Sequence, residues 1–335
     1  MDRMLVSSWF HLHSSVPLSY VQPPESRPGM VAVASGKIIP VVDLGLHDRD
    51  EILRHILKAS EEYGFFQVIN HGVSKELIED TLNILKEFHG MSGEEKIRES
   101  SRDPNGSCKL YTSREINNNK DCIQFWRDTL RHFCPPSGDF MEFWPQKPAR
   151  YREVVEKYTQ ELRKLGLKIL EMLCEGLGLE PEYCCGGLSD SPVFLAHHYP
   201  PCPEPSLTLG TPKHRDPNLV TILLQEKDIS ALQVLKDGEW IAVEPIPYAF
   251  VVNIGLLLQI ISNGRLIGAE HRVVTNSGTA RTTVAYFIRP RNEMIIEPAK
   301  PLTISAATIY RSITFEDFLT IFMTKGPDIE PHLLL

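Results

Sequence analysis

Three side chains in this sequence could share one metal ion: His214 and Asp216 in the triplet HRD, and His271 in the segment AEHRVVT. On an extended segment, residues i and i+2 project to one side, so an imidazole and a carboxylate at 214 and 216 can reach a common point. The triplet alone is weak, because a surface histidine followed by an Asp that opens a DPN turn reads equally well. His271 alone is weak too, since a single histidine on a strand usually ends as a hydrogen-bonded core residue. Together, two histidines and one carboxylate form the facial set associated with non-haem Fe(II), which leaves positions for oxygen and a chelating co-substrate. The same donors would serve a zinc ion, and these residues alone do not separate the two metals. Arg281 and Thr283 stand at i and i+2 in RTTVAYFI, expected as the next strand of a hairpin whose turn is TNSGTA. A guanidinium and a hydroxyl on one face would hold the far carboxylate of such a co-substrate. Each part has a bland reading, but the order HxD, His, Arg, hydroxyl on consecutive β segments is far more specific than any member.

The elements that must position these residues lie after Pro192. Short apolar runs recur there between turn residues (VFLAHHY, NLVTILLQ, ALQVLKDGEWIAV, FVVNIG, AEHRVVT, TTVAYFI), the spacing of an antiparallel sandwich or barrel. The Asp-Gly pair in LKDGEWIAV marks a hairpin. Upstream the pattern is mostly helical. Asp50–Tyr63 and Lys75–His89 keep apolar residues at helical spacing, as does Tyr151–Leu179, which Gly176 and Gly178 close. IIPVVDL (38–44) and GFFQVINHG (64–72) read as strands. Residues 100–122, with INNNKD, read as a polar loop. The expected organisation is a strap over 1–37, a mostly helical region over 38–190, a β core over 191–300 and a helical lid or tail over 301–335.

Composition narrows the partners. The 335 residues are 42% hydrophobic and 8% aromatic, enough to bury a sizeable core. A net charge of −8, with the basic residues dispersed, offers no stripe for nucleic acid. Seven cysteines without a CxxC pair suggest reduced thiols. The first twenty residues lack the zones of a secretory signal, and no apolar run reaches the roughly 18 residues that span a membrane. A cytosolic protein acting as a monomer on a small molecule, with no membrane partner, is the expectation. No Gly-rich phosphate loop points to nucleotide chemistry.

Longer motifs surround the candidate residues: YGFFQVINHGV (63–73), HYPPCPEPSLTLG (198–210), LQVLKDGEWIAVEPIP (232–247), NIG (253–255), ISNGRL (261–266), HRVV (271–274) and RTTVAYF (281–287). In this order the sequence resembles the plant soluble Fe(II)- and 2-oxoglutarate-dependent dioxygenase family, over roughly residues 15–320. The resemblance implies an α+β fold, a double-stranded β-helix (jelly-roll) core wrapped by helices with a helical N-terminal region. It implies Fe(II) on His214, Asp216 and His271, and 2-oxoglutarate held by Arg281, Tyr199 and Thr283, the last standing where the family usually has Ser. Ascorbate is the expected reductant, O2 the other substrate, and succinate and CO2 the co-products. Asp216 implies hydroxylation, desaturation, ring closure or demethylation rather than halogenation, because relatives that halogenate lack this carboxylate. Within the family, FWRDTL (125–130), CEGLGL (174–179) and IEPAKPL (296–302) are most like alkaloid-acting members of the hyoscyamine hydroxylase kind, which implies a largely apolar substrate such as an alkaloid in plant specialised metabolism. Two positions depart from the family pattern: His197 stands in place of Asn, and Leu256 in place of an Asp after NIG, where altered substrate or loop contacts are expected.

The expected substrate pocket draws on Tyr111, Phe125 and Trp126 from the loop region, Phe287 from the Arg281 face, and Tyr310 or Phe315 near the lid. His71 is read as structural, His198 as pointing away from the site, and the EEK at 94–96 as a solvated helix start. The alternative function is a catalytically silent jelly-roll ligand-binding protein, with a zinc hydrolase behind it.

Overall fold

The computed structural model describes residues 5–28, 36–103, 105–113, 123–136, 140–304 and 306–335. INNNKD (116–121) and Cys122 lie outside the described residues. Two sheets face each other across the candidate residues. Numbered in chain order, the larger runs β1 (Val41–Asp43), β2 (Phe65–Ile69), β10 (Phe250–Ile254), β7 (Val220–Leu224), β12 (Arg281–Ile288), β5 (Val193–Tyr199), β4 (Asp128–Phe133) and β3 (Cys108–Thr112). The smaller runs β6 (Leu209–His214), β11 (His271–Val274), β8 (Leu232–Lys236) and β9 (Glu239–Ala242). All neighbours are antiparallel except β1 and β2. This is the jelly-roll core, with helices packed outside the larger sheet.

The long helix Tyr151–Leu177 lays Val155, Tyr158, Leu162, Ile169 and Leu173 against the back of that sheet in the principal core. Burial of so many large side chains at roughly 25 cal/mol per Å² makes this face the main apolar support of the sheet. Gly178 takes φ +77 and closes the helix, its N–H bonded to Glu175 O. The left-handed turn needs glycine, whereas Gly176 stays inside the helix. The helices Arg49–Glu62 and Lys75–Gly90 are capped by Asp48 and Ser74 and pack on the long helix. At 237–238 the Asp-Gly turn, with φ +54 and +81, joins β8 to β9 with Lys236 opposite Glu239.

Three expectations need correction. Residues 100–122 are not simply a loop: β3 lies there, and with β4 it extends the larger sheet, so the region before 190 supplies four strands as well as helices. TNSGTA does not turn a hairpin. β11 belongs to the smaller sheet and β12 to the larger, so the segment crosses between them, and β12 pairs with β5 and β7 instead. The 94–96 segment opens the helix Gly93–Ser100 with Ser92 and Glu95 as a capping pair, but Lys96 is buried rather than solvated. Its ammonium donates to Ser7 Oγ at 2.8 Å and His89 O at 2.9 Å. The six described cysteines form no disulfide, and no described helix is long and apolar enough to cross a membrane.

Candidate metal centre

β6 ends on His214, and β11 begins on His271 directly opposite it. Asp216 lies two residues past the end of β6, in the link to β7, so the pairing of the sheet rather than strand alternation brings the third donor in. Asp216 Oδ1 stands 3.4 Å from His214 Nε2 and 3.7 Å from His271 Nε2. The three donor atoms fall within 4.8 Å of one another, the one such cluster among the described residues.

Their second partners fix which atom faces inward. His214 Nδ1 lies 2.9 Å from Pro212 O and His271 Nδ1 3.2 Å from Ala269 O. A carbonyl only accepts, so each Nδ1 carries a hydrogen and each ring turns its Nε2 to the centre. Asp216 Oδ2 accepts from Thr221 Oγ1 at 2.5 Å and Asn253 Nδ2 at 2.8 Å, leaving Oδ1 for the centre. Burial would raise the Asp216 carboxyl, but His271, His214 and the Asn253 hydrogen bond outweigh it and hold the group well below the usual range. His271 is pushed down to about 4 by burial and by His214 beside it. A buried carboxylate between two imidazoles whose Nε2 atoms converge fits a divalent cation of the non-haem iron type.

The NIG motif acquires a role the residues alone did not disclose. Asn253 orients Asp216, and Gly255 admits the carbonyl of Asn218, which would lie 2.0 Å from any Cβ there. Leu256 is a correction: its side chain is buried in the principal core away from the site, and only its N–H bears on the centre, donating to Asp216 O at 2.9 Å.

A cavity of about 880 Å³ opens from the triad and is lined by residues of both sheets and of the C-terminal segment, among them Phe322, Met323 and Ile329. Arg281 and Thr283 line it side by side on β12. Arg281 is 1% exposed and donates to Gln225 Oε1 at 2.9 Å, while its Nε and Nη1 are buried without a partner. Such donors cost roughly 1–3 kcal/mol if left unmet, so they mark a seat for an acceptor. Tyr199 stands opposite Arg281, its ring 5.4 Å from the guanidinium and its hydroxyl 3.3 Å from Thr211 Oγ1. His197 also lines the cavity, opposite Thr283, with Nδ1 3.0 Å from Thr129 Oγ1. Burial first, then Arg127 and Arg281, hold it well below its usual value, so it faces the cavity as a neutral ring.

Of the aromatics expected to form a pocket, Tyr111, Phe125 and Phe287 line the cavity. Trp126, Tyr310 and Phe315 do not. Trp126 is wholly buried under the N-terminal strap, 5.3 Å from Trp9, and donates to Pro200 O at 3.1 Å. Tyr310 is buried with its hydroxyl on Gln259, and Phe315 stacks on Phe318 in the core. Their apolar rings are consumed by packing. His71 sits outside the cavity with Nε2 on Tyr248 O, and His198 turns away from it to stack on His89. Arg127 and Arg131, both cavity-lining, come from the link before β4 and from β4 itself, in the region expected to be mostly helical.

Comparison with known proteins agrees with this geometry. Residues 190–290 match the model of the 2OG-Fe(II) oxygenase superfamily, and residues 39–148 that of the non-haem dioxygenase in morphine synthesis N-terminal region. Protein DOWNY MILDEW RESISTANCE 6 of Arabidopsis thaliana is 40% identical over 98% of this chain and 97% of its own. Hyoscyamine 6-dioxygenase of Hyoscyamus niger is 40% identical over 97% of this chain and 96% of its own. Flavanone 3-dioxygenase 2 of Oryza sativa subsp. japonica is also 40% identical, over 97% and 95%. The crystal structure of JOX2 in complex with 2OG, Fe and JA superposes with a TM-score of 0.86 at 34% identity, covering 96% of this chain and 95% of that one. With the converging triad, the two-sheet core and relatives matched nearly end to end, this chain belongs to the plant 2OG-Fe(II) oxygenase family, and it is a dioxygenase-class enzyme.

Proposed function

We propose that the enzyme couples 2-oxoglutarate to the oxidation of a C–H bond in a small, largely apolar metabolite of plant specialised metabolism, releasing succinate and CO2. The outcome is hydroxylation, or desaturation, ring closure or demethylation. The observation that carries this reading is one cavity holding both the His214–Asp216–His271 cluster and the unmet N–H groups of buried Arg281. His214, Asp216 and His271 would hold Fe(II), which when bound supplies the oxygen and one-electron chemistry that side chains cannot. Arg281 and Thr283 would take the distal carboxylate of 2-oxoglutarate, with Tyr199 beside them. Val193, Leu195, Leu223, Ala285 and Phe287 form an apolar stretch that orients the substrate and excludes water. The C-terminal segment would act as the lid, and the strap (1–37), the region over 38–190 and the core (191–300) as its support. A monomeric working unit, a cytosolic location and ascorbate as reductant complete the proposal. An alkaloid has the apolar body such a cavity would take, but among the described residues of the lining its protonated amine would find no acid except Asp216.

The test is succinate formation from 2-oxoglutarate with Fe(II) and ascorbate across a metabolite panel, under air and under argon. Oxygen-dependent succinate supports the proposal. No coupled or uncoupled decarboxylation sinks it in favour of a silent binding protein, and oxygen-independent hydrolysis in favour of a zinc enzyme.

A further inference from the structure

The cavity is graded in charge along β12. Arg281 and Thr283 face it at the triad end, Ala285 and Phe287 follow, and Arg289 lines it just past the strand. The strand β5 continues the apolar middle in register, and β4 flanks it. β5 sets Leu195 against Ala285 and Val193 against Phe287, while β4 sets Arg131 against Leu195 and Phe133 against Val193. The floor of the cavity is therefore apolar over Leu195, Ala285, Val193 and Phe287, flanked on β4 by Arg131 and followed past β12 by Arg289.

Those two guanidiniums are held in place. Arg131 and Arg289 lie 4.8 and 5.2 Å from the centroid of the same ring, Phe133. Arg131 Nη2 donates to Gly106 O at 2.9 Å and Arg289 Nε to Ser191 O at 2.9 Å. Of the other cations of the lining, Arg215 pairs with Glu330 and Lys213 with Glu270, while Arg127 donates to Thr211 Oγ1 nearer the triad and Lys109 stands on β3. Among the described residues no carboxylate pairs with Arg131 or Arg289, and the nearest polar partners are carbonyls and Ser191 Oγ. Burial, and after it the charge of Arg131, brings Arg289 down to about 10. Two clamped, half-buried like charges in one cavity are costly unless an anion joins them. A planar guanidinium pair suits a carboxylate, which can accept from both.

We infer that the substrate is a carboxylic acid with an apolar body, its carboxylate held by Arg131 and Arg289 and its body lying over Leu195, Ala285, Val193 and Phe287. The inference rests on the oxygenase reading of this cavity and names the charge of what it takes. A protonated amine would meet these cations and, among the described residues of the lining, no acid but Asp216, so the alkaloid expectation gives way to an anion of similar apolar bulk.

The test is binding, free of turnover. Full-length protein is kept under argon with 2-oxoglutarate saturating Arg281. Calorimetry then compares trios that share one body: 4-phenylbutanoate, its methyl ester and 4-phenylbutylamine, with equivalent trios built on decanoate and 1-naphthylacetate. The acids should bind at least about tenfold more tightly than their esters, the scale of one charge-assisted hydrogen bond, and the amines worst. Arg131→Gln and Arg289→Gln should each bring the acid down to the level of its ester while the ester is unchanged. Should Arg289→Gln unfold, Arg131→Gln and the salt dependence of the acid preference decide alone. No acid preference across the panel, or a preference untouched by Arg131→Gln, overturns the inference. That failure would leave oxygen-dependent succinate formation intact, whereas failure of the oxygenase reading would abolish succinate and leave the binding pattern standing.

Discussion

His214 and His271 face each other across the β6–β11 pairing with ring centroids 4.1 Å apart, each closed on its outer side by a backbone carbonyl. Both rings are thereby aimed before any ion arrives, and the carboxylate between them decides whether the cluster attracts a cation.

Asp216→Ala should therefore remove metal binding and turnover while leaving the sheet intact. Asn253→Ala should do less, because it only loosens one carboxylate oxygen: a loss of about 10–100-fold in affinity is the scale for such a supporting hydrogen bond. Titration with Mn(II), followed by its paramagnetic signal, measures both. Unchanged binding in Asp216→Ala would remove Asp216 from the centre.

For Arg281 the two readouts should move in opposite directions. Arg281→Met removes two buried, unmet N–H groups, so the ligand-free protein should be no less stable and up to about 1–3 kcal/mol more so. The same change should raise the 2-oxoglutarate requirement by roughly a hundredfold, the worth of a charge-assisted pair. Melting curves with and without 2-oxoglutarate show both effects. A variant that keeps wild-type 2-oxoglutarate dependence would dismiss the assigned anchor.

The C-terminal segment is latched beside the triad. Arg215, between two of the proposed ligands, pairs with Glu330 at 2.5 Å, and Gln259 donates to the other Glu330 oxygen at 3.0 Å. The pair is partly exposed, so Glu330→Ala should cost under about 1 kcal/mol of global stability. Hydrogen exchange over 315–335 should nevertheless quicken, and substrate KM should rise more than kcat falls. Exchange as slow as in the parent protein would show that the latch holds nothing.

Acid should weaken the fold through its buried histidines. His132 is fully buried between Trp144 and Phe194, with Nε2 3.0 Å from Tyr151 Oη, and burial pushes it down to about 3. His198 is pushed down to about 4 by burial and by Lys96. Below a pH of about 6.5 the unfolded chain binds these protons and the folded chain does not. Stability is then complete above that value and falls as pH drops towards 3, by up to roughly 1.4 kcal/mol per unit for each such group. His132→Phe should flatten the slope of melting temperature between pH 6 and 4, at the expense of the Tyr151 hydrogen bond. An identical slope would clear His132.

Much of the centre was legible in the residues because its donors sit at short, ordered spacings on strands with clear turn punctuation. What was not legible has a common physical cause. β3 and β4, with Arg127 just before β4, present Lys109, Tyr111, Arg127 and Arg131 towards the cavity, and polar residues on the inward face erase the alternation by which a strand is read. TNSGTA carries every local mark of a hairpin, yet sheet membership is settled by distant partners, β5 and β7. Trp126 and Phe315 show the reverse, since aromatic type alone does not tell a wall of the cavity from a brick of the core.

The alternation of β12 has a consequence for regiochemistry. Arg281, Thr283, Ala285 and Phe287 succeed one another along one wall at about 6.6 Å per two residues. A strand cannot shorten by less than a register step, so it serves as a fixed gauge between the triad and Arg289. A ligand held at its outer end is measured against that gauge, and its length decides which carbon is presented. In a homologous series the oxidised position should stay constant when counted from the anchored end, whatever is added beyond the triad.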